Sequence, residues 1–332
     1  MLLSKKSSTS RRLQQALIGS AVALALGIGA ARATEPENLF PAPVYVTLQT
    51  SGAVEGLPAG NAWAGFPGAH YDTISHDGTR MLVSSKDQPE AYLLDARSGK
   101  KLATFEIGPT PQGVAISPDG QWGMAVSAGG GTVAAIDMRR QKLVKLIAVG
   151  KVPHNVRFTE DGKLAYVTLQ GGTGVAVVDM RSLEKVDEIP VPGIHGPHNL
   201  DLSADGHTLW VRDLVGKVAA IDIKSRKVLA VIPVGLSHGG IDVIPGGRYV
   251  FTGAIADHVV DVIDPATFKV VKRIEVGQGP HGVRASRDGR WLYVGVTGTD
   301  KIAVIDTTTL EVVKQVPTQG KLPFWLTVVG ND

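Results

Sequence analysis

Four histidines, His70, His154, His198 and His281, each stand seven residues ahead of an aspartate in a turn-forming stretch, at Asp77, Asp161, Asp205 and Asp288. His238 takes the same place if Gly240 is counted as one inserted residue, and His195 lies three residues before His198 in the same connection. Neutral imidazoles gathered in one place suit copper, zinc or iron. The spacing therefore makes His70, His154, His195, His198, His238 and His281 candidate metal ligands. The plainer alternative is that a histidine after proline belongs to a repeated unit, where it hydrogen-bonds the backbone of its neighbour.

A second tier follows the first. Three residues beyond each histidine position the chain carries Thr73, Ala115, Arg157, Asp201, Asp242, Arg284 and Thr327. Charges on inner strands are costly unless paired, so Arg157 is expected to meet Asp201, and Asp242 to meet Arg284. These four are either staples between neighbouring units or cofactor-binding residues, with the carboxylates orienting metal-bound imidazoles.

Other motifs fail on context. Gly235-Leu236-Ser237-His238-Gly239 fits G-x-S-x-G, but a nucleophile elbow needs a helix directly after its turn, and this stretch enters a strand pattern. Gly129-Gly130-Gly131 lacks the Lys-Ser/Thr of a phosphate loop and reads as a hairpin. Trp122, Trp210 and Trp291 each follow an Asp-Gly turn and read as core. Residues 50–69, with Trp63 and Phe66 among glycines and prolines, read as a loop that caps one face. The chain has no cysteine. That excludes disulfides, thiolate ligands, a lipid-modified N-terminal cysteine and the C-x-x-C-H attachment of c-type haem.

The elements that position these residues form one repeat. An apolar-apolar-Asp phrase recurs at Asp95, Asp137, Asp179, Asp222, Asp264 and Asp306, in steps of 42, 42, 43, 42 and 42 residues. Each period holds a short apolar segment, a turn such as Ser117-Pro118-Asp119-Gly120, a run such as Leu164-Ala165-Tyr166-Val167-Thr168, and two more apolar runs. Four strands per period make a blade, and the absence of any sustained 3.6-residue apolar period excludes helical solenoids. The fold class predicted is all-β, a seven-bladed β-propeller.

Inner strands are expected to open near His70, Gln112, His154, His198, His238, His281 and Phe324. The seventh blade lacks its other strands at the C-terminus. Val44-Tyr45-Val46-Thr47-Leu48-Gln49 matches Ala165-Tyr166-Val167-Thr168-Leu169-Gln170, so the N-terminal segment is expected to close the ring against residues 323–329 and leave no exposed sheet edge. Six blades with a loose N-terminal arm is the alternative.

Stretches such as Pro153-His154-Asn155-Val156, Asp161-Gly162-Lys163-Leu164-Ala165-Tyr166-Val167-Thr168 and Val177-Val178-Asp179 resemble the YVTN-type β-propeller repeat. The resemblance spans nearly all of residues 40–330. It implies the fold and says little of function, because such repeats serve surface-layer proteins, periplasmic proteins and relatives of lactonases and metal-bearing propellers. Leu169 replaces the usual asparagine, and Leu209-Trp210-Val211-Arg212-Asp213 departs further. A more distant resemblance to copper-bearing seven-bladed propellers implies copper at the blade-mouth histidines.

The first residues decide the expected compartment. Lys5, Lys6, Arg11 and Arg12 precede an apolar run from Ala16 to Ala30 and an Ala31-Arg32-Ala33 cleavage site, the pattern of a signal peptide over residues 1–33. The run is too short for a permanent anchor, so no membrane span is expected after its removal. Ser10-Arg11-Arg12 leaves both general and twin-arginine export open. Without these five basic residues the formal net charge of +3 becomes −2, and no basic cluster remains for nucleic acid. The expectation is a periplasmic or surface-exposed propeller over residues 34–332, binding a metal, a cofactor, a small molecule or a partner protein at a histidine-lined channel mouth. A copper-dependent oxidoreductase is the alternative, and a lactonase-like hydrolase stands behind both.

Overall fold

The computed structural model describes residues 38–331. The signal peptide expected over residues 1–33 lies outside them. Twenty-eight strands form seven four-stranded antiparallel sheets, and the chain is a seven-bladed β-propeller. We number the blades by their inner strands: Ala69–Ile74, Pro111–Ile116, Pro153–Phe158, Asn199–Leu202, Ile241–Val243, Pro280–Ala285 and Pro323–Val328.

The 42-residue period has a local cause in two turns. At the first, Ser117 Oγ donates to Asp119 Oδ1 at 2.6 Å and accepts the Trp122 N–H at 2.9 Å, while Gly120 takes the left-handed φ of 69° that closes the hairpin. At the second, the aspartate that ends the third strand of blades 1 to 6 caps the next turn. Asp137 Oδ1 accepts the Arg140 N–H and Asp179 Oδ1 the Ser182 N–H, both at 2.8 Å. The apolar residues before each aspartate alternate between the two faces of a blade and pack against both neighbours. Val133 and Ala135 of blade 2 thus share a cluster with Val156, Val167 and Ala176 of blade 3.

Closure occurs as the N-terminal repeat fragment predicts. Val44 pairs with Val328, Tyr45 with Thr327 and Val46 with Leu326. The closing blade then packs on both sides, Val44 and Leu326 against Trp291 and Tyr293 of blade 6, and Tyr45 and Val54 against Met81 and Tyr92 of blade 1.

Residues 50–69 do not form the expected capping loop. Ala53–Leu57 and Asn61–Ala64 are the third and fourth strands of the closing blade, which sets the six-bladed alternative aside. The outer strand of this pair is largely exposed, so it carries no apolar alternation. Trp63 packs sideways instead, stacking on Tyr45 at 5.6 Å. Of the three tryptophans that follow Asp-Gly turns, Trp210 and Trp291 are buried and Trp122 partly so.

Candidate functional site

The inner strands begin around one end of the central tunnel, and their first side chains form a nearly continuous ring. His154 stacks on His198 with centroids 3.6 Å apart, and His198 meets His238 at 4.6 Å. His238 meets His281 at 5.4 Å, and His281 stacks on Phe324 at 3.7 Å. Phe324 stacks on His70 at 4.2 Å, and His70 Nε2 bonds Gln112 Oε1 at 3.1 Å. Every blade contributes one member. In three blades a glycine in the next position, Gly113, Gly239 or Gly282, lets the strands approach this closely: a Cβ at Gly282 would stand 2.9 Å from the Phe324 carbonyl oxygen and 3.0 Å from Trp325 Cα.

The ring's hydrogen bonds divide its members by role. His281 Nδ1 donates to the Phe324 carbonyl at 3.1 Å. A carbonyl only accepts, so the proton sits on Nδ1 and Nε2 presents a lone pair, buried and without a partner. His154 Nδ1 likewise donates to the His198 carbonyl at 3.1 Å. His198 has no hydrogen-bond partner on either ring nitrogen. His70 is engaged at both, through Gln49 at 3.0 Å and Gln112, which makes it a strut. Among the described residues His198, His238 and His281 form a metal-sized group, each offering a ring nitrogen within 4.8 Å of the others. His238 is the half-buried member and opens the group to solvent.

Burial keeps these imidazoles neutral. It lowers His70 from an ordinary 6.5 to about 4 and His154 to about 3. It also pushes His198 and His281 well below that value, assisted by the neighbouring rings, His154 beside His198 and His238 beside His281. His238 is lowered by burial and then by the charge of Arg212. Neutral imidazole is the form that ligates a metal.

His195 is not gathered into the ring. It is exposed, and its contact with the site is a backbone N–H donated to Asp213 Oδ2 at 3.2 Å. The carboxylate tier is not a support for the imidazoles either. Three residues along a strand advance it by roughly 10 Å, and the pairing register slips between Pro153 and Val156 and again between Pro280 and Val283. Such a bulge resets the pleat, so Arg157 and Arg284 project into the tunnel like the histidines but face its other end. There Arg157 Nε stands 3.6 Å from Asp201 Oδ1, and Arg284 Nη1 bonds Asp242 Oδ1 at 2.6 Å, each pair joining neighbouring blades as expected.

Two residues of the site escaped the sequence reading. Tyr71 lies across the tunnel between the two tiers, with its ring 5.8 Å from His154, 4.4 Å from Trp325 and 6.5 Å from His281. Arg212 is fully buried and donates through Nη2 to the carbonyls of Gly235 at 2.8 Å and Ser237 at 2.5 Å, anchoring the loop that presents His238. Its only signal was the departure of Val211-Arg212-Asp213 from the repeat. Ser237 itself sits at a φ of 70° before the strand Ile241–Val243, with no helix among the described residues to make an elbow.

Fold and ring together define a seven-bladed β-propeller repeat protein with a histidine-lined tunnel mouth. A YNCE-like β-propeller family model matches residues 128–246, and a cytochrome D1 haem domain model matches residues 206–323. No curated protein matches the sequence. Among solved structures, hydrazine synthase of Kuenenia stuttgartiensis is similar at 25% identity and a TM-score of 0.73, over 80% of this chain and 90% of that one. A functionally unknown protein from Desulfotomaculum acetoxidans is 15% identical at a TM-score of 0.74, covering 88% of this chain and 100% of its own. The dihydro-haem d1 dehydrogenase NirN, solved in complex with DHE, is 20% identical at 0.63, over 90% of this chain and 77% of that chain.

Proposed function

We propose that this chain is an exported cofactor-binding propeller whose tunnel mouth holds a metal centre, with His198, His238 and His281 as its ligands. The observation that carries this reading is the convergence of three ring nitrogens, on imidazoles that burial holds neutral. The buried, unpartnered nitrogens of His198 and His281 fit a metal: such groups are costly to bury unless something accepts their lone pairs. A backbone carbonyl sets the tautomer of His281, the role that a carboxylate fills in many metal sites. Three imidazoles on one ion suit copper or zinc.

A haem-related group is the second reading. The cytochrome D1 haem domain match includes His238 and His281, and NirN was solved with DHE. Missing cysteines speak only to thioether attachment, so the exclusion of c-type haem leaves open a haem iron held through an axial imidazole. The comparisons lean that way rather than towards copper. Export rests on the basic and apolar pattern of residues 1–33.

The test is elemental analysis and an absorption spectrum of the protein exported to a bacterial periplasm and purified without chelators. One metal per chain without a Soret band supports the three-imidazole centre. A stoichiometric Soret band transfers the site to haem, and neither metal nor haem overturns the proposal.

A further inference from the structure

We infer that the opposite end of the tunnel is a second binding site, for a small organic monocarboxylate with an apolar body, and that Arg157 is its anchor. The turns that follow the inner strands surround a cavity of about 1160 Å³ at this end. Arg157, Asp201, Asp242 and Arg284 line it, and Phe158, Leu202, Val243 and Pro245 supply apolar wall.

The two ion pairs of this tier occupy matching places in the repeat and are built differently. Arg284 holds Asp242 at 2.6 Å, and the same carboxylate accepts the Ala285 N–H at 2.7 Å. Asp201 also accepts a backbone N–H of the next blade, from Val243 at 2.7 Å, but it stands 3.6 Å from Arg157 Nε, beyond hydrogen-bond distance. Arg157 is 8% exposed, and among the described residues its guanidinium makes one long hydrogen bond, from Nη1 to the Val156 carbonyl at 3.4 Å. Nε and Nη2 are buried and have no acceptor. These two nitrogens form the side edge of a guanidinium, the fork that matches the two oxygens of a carboxylate.

The charges around the fork select the ligand. Arg157 and Arg284 balance Asp201 and Asp242, so the floor is formally neutral. A monoanion meets the Arg157 fork, and on the cavity wall Lys163 and Arg287 stand among Glu160, Asp161, Asp179 and Asp205, which disfavour a higher negative charge. A phosphate dianion would bring a second negative charge beside these carboxylates. None of the ring histidines lines this cavity, so its occupancy does not depend on the metal centre.

Calorimetric titration of the full chain with acetate, benzoate and succinate, each with phosphate as competitor, tests the inference. Saturable benzoate binding is expected, weakened at least about tenfold in both Arg157→Lys and Arg157→Gln, unmoved by phosphate and retained in His198→Ala. Circular dichroism and thermal melting establish that each variant is folded, and Arg157→Lys keeps the charge that Asp201 needs. Failure of all three carboxylates to saturate would overturn the inference. So would undiminished benzoate binding in a folded Arg157→Lys, or equal competition by phosphate. Loss of binding in His198→Ala with Arg157 intact would overturn the assignment to this end of the tunnel.

Discussion

The Tyr71 hydroxyl donates to Asn199 Oδ1 at 3.3 Å across the tunnel, although the two residues belong to inner strands three blades apart. Asn199 also accepts from Asn155 Nδ2 and donates to the Gly239 carbonyl, both at 2.7 Å, so blades 1, 3, 4 and 5 meet on one side chain. Tyr71→Phe should cost about 1 kcal/mol in urea denaturation, the net worth of one hydrogen bond. Tyr71→Ala, which empties the plug, should cost about 3–5 kcal/mol. Equal losses in the two variants would show that the ring of Tyr71 does not fill the tunnel.

The unequal ion pairs lead to unequal losses. Asp242 and Arg284 are almost fully buried, with side chains 2% and 3% exposed, so Asp242→Ala should cost about 3–5 kcal/mol by leaving Arg284 uncompensated. Asp201 is 14% exposed and loosely held, and Asp201→Ala should cost clearly less. The sequence alone predicts the large figure for Asp201, because spacing reveals which residues pair and not how closely. Denaturation of the two variants side by side decides the order.

Ring closure makes the two ends of the chain interdependent. Val46 pairs with both Leu326 and Glu55, so Val46→Pro removes a donor from the middle of the closing sheet and should cost about 3 kcal/mol or more. Thermal melting of this variant should fall for the whole propeller in one transition. An unchanged melting temperature would mean that the ring does not depend on the closing sheet.

The architecture was legible because its causes are local and repeated. The aspartate of each period caps a turn, and Val44-Tyr45-Val46-Thr47-Leu48 is a fragment of the same unit placed at the other end. The register of the histidines was legible for the same reason. Their division into ligands and struts was not, since it depends on carbonyls such as that of Phe324 and on the glutamines that hold His70. Strand Asn61–Ala64 was missed because an exposed outer strand needs no apolar pattern. The opposite facing of the charged tier depends on bulges that spacing cannot reveal.

Acid should destabilise the metal-free protein before its carboxylates titrate. Buried His70 and His154 ionise near 4 and near 3 when folded, against an ordinary 6.5 once unfolded. Below pH 6.5 the unfolded chain therefore binds more protons, and stability present in full above that pH declines on acidification by about 1.4 kcal/mol per unit for each such imidazole. Urea midpoints at pH 7.5 and 5.5 should differ in this direction, and His154→Gln should narrow the difference. Midpoints that match at the two pH values would mean that the rings are solvated.

The ligand assignment is tested most directly by metal retention in single variants. Wild-type protein loaded with copper or zinc and then dialysed should keep one ion per chain, and His195→Ala should keep it too. His198→Ala, His238→Ala and His281→Ala should each fold and fall well below one. Full retention in any of those three, or substoichiometric retention by the wild type, would contradict a metal centre held by these three imidazoles.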